Sequence, residues 1–390
     1  MAAAPMKVLH VSYTGAMSGG EHSLLTLLAA MPAEVELGVA CPDGALDAAV
    51  RRLGLPVHRI PATSVTFRLH PVRTARGLAE MGAAALAVSL IARRQGATVI
   101  HANHVRTGLI TSLAGAGSCP PAVVHVRDVL PDGPAGSVVK RALTSRSAGL
   151  VGISRYVKEK FGAGGEAMTV IDNPVDLRRF DPGLHDRADG RRALGADLES
   201  PLIGIVGQIT PWKGHDTAIR ALVEVRARHP AARLVVVGEV KFSSPGTSFD
   251  NRGYLAGLHR LVCELGLSDA VSFLGERTDI HRVLRALDVL LVPSTVEPFG
   301  RTVAEAMTMA TPVIATSEGG PADLIDHGVT GLLAAPGDHR AWEAAVDRVL
   351  GDRDAARQMA EAARTVALRR FAPERHLHAM LAVFASASAG

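Results

Sequence analysis

Asp288-Val-Leu-Leu-Val-Pro293 is followed closely by Glu297-Pro-Phe-Gly-Arg-Thr-Val-Ala-Glu305, so an apolar run stopped by proline leads into two carboxylates separated by seven residues. The run 289–292 predicts a buried parallel strand, and residues 300–309 predict a helix. This stretch therefore belongs at a strand's carboxyl end, the edge along which open α/β sheets bind ligands. The first amides of the helix, near Arg301, Thr302 and Val303, suit a phosphate. Glu297 and Glu305 cannot grip phosphate but suit sugar or ribose hydroxyls, which donate hydrogen bonds to carboxylate oxygens. Together these groups match the chemistry of a sugar nucleotide.

Working outward, short apolar runs alternate with helical periods along the whole chain. Strands are expected over 7–11, 35–40, 57–60, 98–101, 122–125, 149–152 and 168–171. Asn173-Pro174 ends that series, and the polar stretch to about Ser200, rich in Asp, Arg and Gly, reads as a connection between domains. The alternation restarts with strands over 201–206, 233–237, 271–274, 289–292, 312–315 and 331–334. Helices are expected over 20–30, 215–228, 353–370 and 371–384. The pattern predicts an α/β protein of two doubly wound parallel-sheet domains, 1–183 and 184–370. Residues 240–253 lack periodicity and read as a loop beside the site. A helix opens behind Gly15, Gly19 and Gly20, whose bare backbone lets a phosphate or sugar approach; without GxGxxG, a dinucleotide cofactor is disfavoured.

Several ordered motifs carry a family resemblance. Gly207-Gln-Ile-Thr-Pro-Trp-Lys-Gly214, Glu297-Pro-Phe-Gly300, Glu305-Ala-Met307 and Thr311-Pro-Val-Ile-Ala-Thr-Ser-Glu-Gly-Gly-Pro321 resemble family 4 glycosyltransferases (glycosyl transferases group 1). These are retaining enzymes of the GT-B fold, with two Rossmann-like domains facing a central cleft. Residues 15–21, His101-Ala-Asn103, Val124-His-Val-Arg-Asp128 and Asp172-Asn-Pro-Val-Asp176 extend the resemblance over nearly the whole chain. Gln208 departs from the pattern, since many members carry Arg there; this leaves Lys213 as the clearer cation for the diphosphate.

The resemblance implies that Glu305 binds ribose, that Glu297 with the amides of Phe299 and Gly300 holds the donor sugar, and that the backbone around Arg277 meets the base. It places a donor-contacting histidine at His125, reached when the domains close, although position alone favours a packed strand-end histidine. It also implies a terminal helix, within 371–390, that crosses back onto the first domain, which binds the acceptor. His101, Asn103, Arg127 and Asp128 are the acceptor-side candidates, with a local Arg127–Asp128 ion pair as the simpler reading of the last two. The loops 62–71 and 130–137 of that domain carry no reading of their own. Gly319 and Gly320 are explained equally by backbone geometry and by a loop held close to the donor.

Composition bounds the remaining possibilities. At 390 residues the chain exceeds a single core, and three widely spaced cysteines make neither a disulfide framework nor a metal cluster. His101 and His104 lack a third ligand at metal spacing, so no metal is expected and no cofactor beyond the donor. The setting implied is reduced and cytoplasmic. The longest uncharged apolar stretch, 81–92, is short of the ~18 residues of a membrane span. Residues 1–183 carry 19 Lys+Arg against 13 Asp+Glu, a balance of +6. That excess suits an anionic acceptor, small or lipid-linked, or peripheral contact with the inner membrane face, though a solvated surface is the simpler account. With 4% aromatic residues and no basic-aromatic stripe, nucleic-acid recognition has no support. The expected activity is transfer of a sugar from a nucleoside diphosphate to an acceptor hydroxyl. A sugar-nucleotide 2-epimerase and a phosphorylase are alternatives against which the motif set argues; a non-catalytic nucleotide-binding module is a third, against which stand the intact Lys213, Glu297 and Glu305, with only Gln208 in its favour.

Overall fold

A computed structural model describes residues 5–63, 71–115, 119–241 and 249–389. The loop 62–71 and the middle of 240–253 fall largely outside them. The chain divides into two compact units, Met1–Pro174 with Pro373–Gly390, and Val175–Ala372.

In the first unit, β1 (Lys7–Val11), β2 (Glu36–Cys41), β3 (Val57–Arg59), β4 (Val99–Ala102), β5 (Ala122–Val126), β6 (Gly149–Gly152) and β7 (Met168–Val170) form one parallel sheet. Its order is β3-β2-β1-β4-β5-β6-β7, so the winding reverses between β1 and β4. β4 and β5 are buried along their whole length, which is why, apart from His101 and His125, their sequences are apolar throughout instead of alternating. Successive side chains alternate between faces. Leu9, Val11 and Ile100 meet Ala84, Val88 and Ala92 of the helix Pro71–Gln95. Val8, Val99, Val123 and Val151 meet Leu377, Met380 and Phe384 of the helix Pro373–Ala389. The Pro71–Gln95 helix is longer than the run 81–92 suggested: over Ala75–Gln95, mean hydropathy 1.4, it has the length and composition of a membrane span. Its Ala84, Val88 and Ala92 face is nevertheless buried in this unit's core.

The second unit holds β8 (Leu202–Val206), β9 (Arg233–Val237), β10 (Val271–Phe273), β11 (Val289–Val292), β12 (Val313–Thr316) and β13 (Leu332–Ala334). The order is β10-β9-β8-β11-β12-β13, with the reversal between β8 and β11. Trp342 anchors the core and donates its indole N–H to the Ala335 carbonyl at 2.9 Å.

The stretch 175–200 is part of this second unit, where the sequence suggested a linker, and the division falls at Pro174 instead of residue 183. Its charges explain why. Arg191, 2% exposed, donates to the carbonyls of Ala286, Asp197, Leu198 and Ser200 and to Asp288 Oδ2. Arg187 takes the other Asp288 oxygen at 2.7 Å. A buried guanidinium is tolerated only when its fork is filled in this way, so composition alone reads these residues as solvated. The helix Asn251–Glu264 likewise begins inside the expected loop 240–253, capped by Asp250, which accepts from the Gly253 amide at 2.9 Å.

Phe384 is fully buried against the first sheet. Phe384→Ala should destabilise the first unit by about 3–5 kcal/mol, the usual cost of a phenylalanine-sized cavity. Denaturant unfolding followed by a probe confined to that unit measures it.

Candidate active site

The second unit's site grows from the loops after β8 and β11, the two strands flanking its reversal point. The β8 loop runs through a short 3-10 turn, Pro211–Lys213, into Gly214, whose φ is +69°. A Cβ there would lie 2.1 Å from the Pro293 carbonyl oxygen, so only glycine lets this loop close against the end of β11. The Thr295 amide donates to the Trp212 carbonyl at 2.8 Å and joins the two loops again. Lys213 Nζ then sits 2.5 Å from Glu297 Oε2, which also accepts from Ser294 Oγ at 3.2 Å. The ammonium lies 4.4 Å from the Trp212 ring centroid, a cation–π contact that holds it further.

Beyond Glu297 the backbone is pinned by the glycine pair. The Gly320 amide donates to the Glu297 carbonyl at 2.7 Å. Cβ atoms would fall 2.5 Å from the Glu297 carbonyl oxygen at Gly319 and 2.4 Å from Phe299 Cα at Gly320. Backbone geometry therefore accounts for both glycines. Phe299 is buried and meets Phe371 edge to face at 6.1 Å. Gly300, φ +95°, enters the helix Arg301–Thr308, which has no side-chain cap at its N-terminus. The amides of the first turn have no acceptor within their own helix. Arg301 Nε pairs with Glu305 Oε1 at 2.8 Å. Burial pushes the Glu305 carboxyl up from the ordinary glutamate range, and the charges of Arg301 and Arg179 oppose that rise.

Lys213, Glu297, Gly300 and the Arg301–Glu305 turn are thus brought together, with Gln208 half-buried on the β8 loop. Arg277 lies beyond β10, its side chain committed to a bidentate pair with Asp279 at 2.9 and 2.7 Å.

In the first unit the reversal point gathers three sequence motifs around one guanidinium. Arg127 turns inward, where a local pair with Asp128 was the simpler reading. Its Nε donates to the Asn103 carbonyl at 2.9 Å, Nη2 to Asn103 Oδ1 at 2.8 Å and Nη1 to Asn173 Oδ1 at 2.6 Å, while Asp128 is exposed. His101, Asn103 and His125 have no exposed surface. The acceptor-side candidates His101 and Asn103 therefore form interior bonds. His125 Nδ1 lies 3.3 Å from both His101 Nε2 and Arg127 Nη2.

Glu21, given no role by the sequence, is the residue reading missed. It is fully buried and accepts from Ser18 Oγ at 2.5 Å, Ser12 Oγ at 3.3 Å and His104 Nε2 at 2.6 Å. Burial raises its carboxyl, but the hydrogen bond and charge of His104, then Ser18 and Arg127, outweigh that and hold it at about 2. The available signal was Ser18-Gly-Gly-Glu21, the spacing of a capping box. Gly20 opens the way for its neighbours: a Cβ there would lie 2.6 Å from His104 Cε1 and 3.0 Å from Arg127 Cδ. Gly19 is the first residue of the same helix, Gly19–Ala30. Among the described residues, no group of three His, Cys, Asp or Glu side chains could hold a metal ion.

Two doubly wound parallel sheets, each with its functional loops at the carboxyl ends flanking the reversal, make this a GT-B fold. Residues 17–179 match the family description "Glycosyltransferase Family 4" and residues 186–366 match "Glycosyl transferases group 1". The chain belongs to the family 4, group 1 glycosyltransferases. It is 36% identical over 210 residues to the D-inositol 3-phosphate glycosyltransferase of Nocardia farcinica, a match covering 53% of this chain and 45% of that protein. The matched region thus spans less than half the length of that relative. The Anabaena protein HepE, solved in complex with UDP-glucose, superposes with a TM-score of 0.83 at 24% identity, covering 98% of this chain and 100% of that one. Sucrose-phosphate synthase from Thermosynechococcus elongatus gives 0.79 at 21% identity, covering 98% and 99%. At these identities the two structures speak for the fold alone.

Several histidines are buried as neutral rings. Burial lowers His10 from 6.5 to about 3, and lowers His376 and His215 to about 4, with Lys213 adding to the effect on His215. Unfolded histidines take up protons below about 6.5, while these folded ones do not until pH 4 or lower, so acid favours the unfolded chain. Each should remove about 1.4 kcal/mol of stability per pH unit between those limits. Urea unfolding at pH 7 and pH 5 should show the loss, and His215→Phe should flatten the second unit's dependence.

Proposed function

We propose that the chain transfers a sugar, with retention of anomeric configuration, from a nucleoside diphosphate sugar to an acceptor hydroxyl. The observation that carries this reading is the Lys213–Glu297 pair beside the uncapped start of the helix Arg301–Thr308. A lysine ammonium has three donors, so one can hold Glu297 while the others meet phosphate oxygens. The first-turn amides of Arg301, Thr302 and Val303 supply fixed dipoles for the same diphosphate. Glu297, set by Lys213 and Ser294, receives donor-sugar hydroxyls together with the amides of Phe299 and Gly300; Glu305 receives the ribose hydroxyls, and the backbone around Arg277 meets the base.

In the reaction the bond from C1 to the diphosphate oxygen breaks and a bond from C1 to the acceptor oxygen forms. The acceptor proton passes to the leaving diphosphate on the same face. Double displacement would require a carboxylate nucleophile on the opposite face. Glu297 is a poor candidate for it, because a carboxylate bonded to an ammonium and a hydroxyl is a weakened nucleophile. Lys213 and the helix amides stabilise the leaving charge in place of a metal ion. Membership of the family, the fold shared with a protein solved with UDP-glucose, and this constellation support the reading together.

Thermal shifts against UDP, GDP, ADP and dTDP sugars test the donor class, since a ligand that binds only the folded state raises apparent stability. Glu305→Ala should weaken nucleotide binding. Glu297→Ala should depress turnover more than affinity for the nucleoside diphosphate. Normal binding and normal turnover in both variants would overturn the assignment. Transfer should also persist in excess EDTA, and Lys213→Ala should cost on the order of 2–4 kcal/mol of transition-state stabilisation. Loss of activity in EDTA with recovery on adding a divalent ion would refute the metal-free reading.

A further inference from the structure

Four buried histidines of the first unit form a row, each next to the one before, on three different strands and the helix that follows the second unit: His10 on β1, His101 on β4, His125 on β5 and His376 on Pro373–Ala389. His10 Nδ1 is 2.9 Å from His101 Nδ1, and His101 Nε2 is 3.3 Å from His125 Nδ1. The rings of His125 and His376 stack at 6.2 Å with 13° between their planes. The outer nitrogens, Nε2 of His10, His125 and His376, have no protein partner. A neutral imidazole has one donor and one acceptor nitrogen, so each contact constrains the next.

We propose that Arg127 is a positioning residue that sets the tautomer of His125, and through it those of His101 and His10, so that His125 presents an N–H and not a lone pair at Nε2. The chain of constraint begins with a group that can only donate. Arg127 Nη2 lies 3.3 Å from His125 Nδ1, so Nδ1 must accept and the His125 proton sits on Nε2. His101 Nε2 reaches the same Nδ1 and must also donate, which leaves His101 Nδ1 as an acceptor. His10 Nδ1 therefore donates to it. His376 is fixed separately, because its Nδ1 meets the Asp172 carbonyl at 2.8 Å and a carbonyl only accepts.

The guanidinium does not drift from this task. Asn103 holds it at two points through its carbonyl and Oδ1, and Asn173 Oδ1 at a third. The charged and titratable groups that bear on His125 are Arg127 on its own segment, His101 and His104 from β4 and the following loop, and His376 from the last helix. Burial first, and then these groups, hold the His125 ring well below its ordinary pKa, so it stays neutral. With its proton on Nε2, His125 can give a hydrogen bond from that atom and cannot take up a proton there.

Nitrogen-15 NMR of histidine-labelled full chain distinguishes the two neutral tautomers and the imidazolium directly, with signals assigned by single His→Asn variants. At pH 7, His125 and His101 should carry the proton on Nε2, and His10 and His376 on Nδ1. A proton on His125 Nδ1, alone or as the imidazolium, would overturn the proposal. Arg127→Met removes the donor and should shift the His125 and His101 signals toward the other tautomer; unchanged signals would show that Arg127 does not set it. Should that variant fail to fold, His101→Phe decides: His125 must keep its Nε2 proton while Arg127 remains, and a switch would give the control to His101.

Discussion

A parallel sheet that winds outward in opposite directions from two central strands leaves a gap beyond their carboxyl ends, because the connections that follow them depart to opposite faces. Both units of this chain obey that constraint, at β1 and β4 in one and at β8 and β11 in the other. The polar side chains singled out in each unit stand on the loops at those places. Lys213 follows β8 and Glu297 follows β11; Glu21 follows β1 and Asn103 follows β4. The glycines serve this geometry. Gly214 lets the β8 loop close against the end of β11, and Gly319 and Gly320 let the β12 loop close against the backbone after β11.

The strands were legible because burial on both faces leaves a mainly apolar signature, and observed limits differ from expected ones by at most one residue. The pairing of Lys213 with Glu297 was not, although both residues were singled out, because contact between two loops depends on strand order. The polar run after Pro174 misled for a related reason. Arg187, Arg191 and Asp288 satisfy one another inside the second unit, and sequence cannot distinguish an arginine facing water from one facing five acceptors. Arg127 escaped in the same way: adjacency suggested Asp128, while its partners lie on segments far apart in sequence.

The two sites prepare their polar groups differently. In the second unit a cation and a carboxylate hold each other at 2.5 Å, so both charges are already oriented. In the first, one arginine locked by amide side chains orders a row of neutral rings. One arrangement pairs two charges and the other sets a single buried cation among neutral groups.

The first unit is completed by a helix that comes last in the chain. Met380 and Phe384 fill the face of its sheet that Val8, Val99 and Val123 present, and His376 joins its buried ring cluster. A nascent chain therefore makes all seven strands of this sheet, and then the whole second unit, before the residues that cover its core exist. The second unit, being continuous from Val175 to Ala372, can fold as soon as it emerges. The first must wait with part of one apolar face covered only by Leu27 and its neighbours from the helix Gly19–Ala30, and exposed apolar surface of this kind is what makes incomplete folds prone to aggregate.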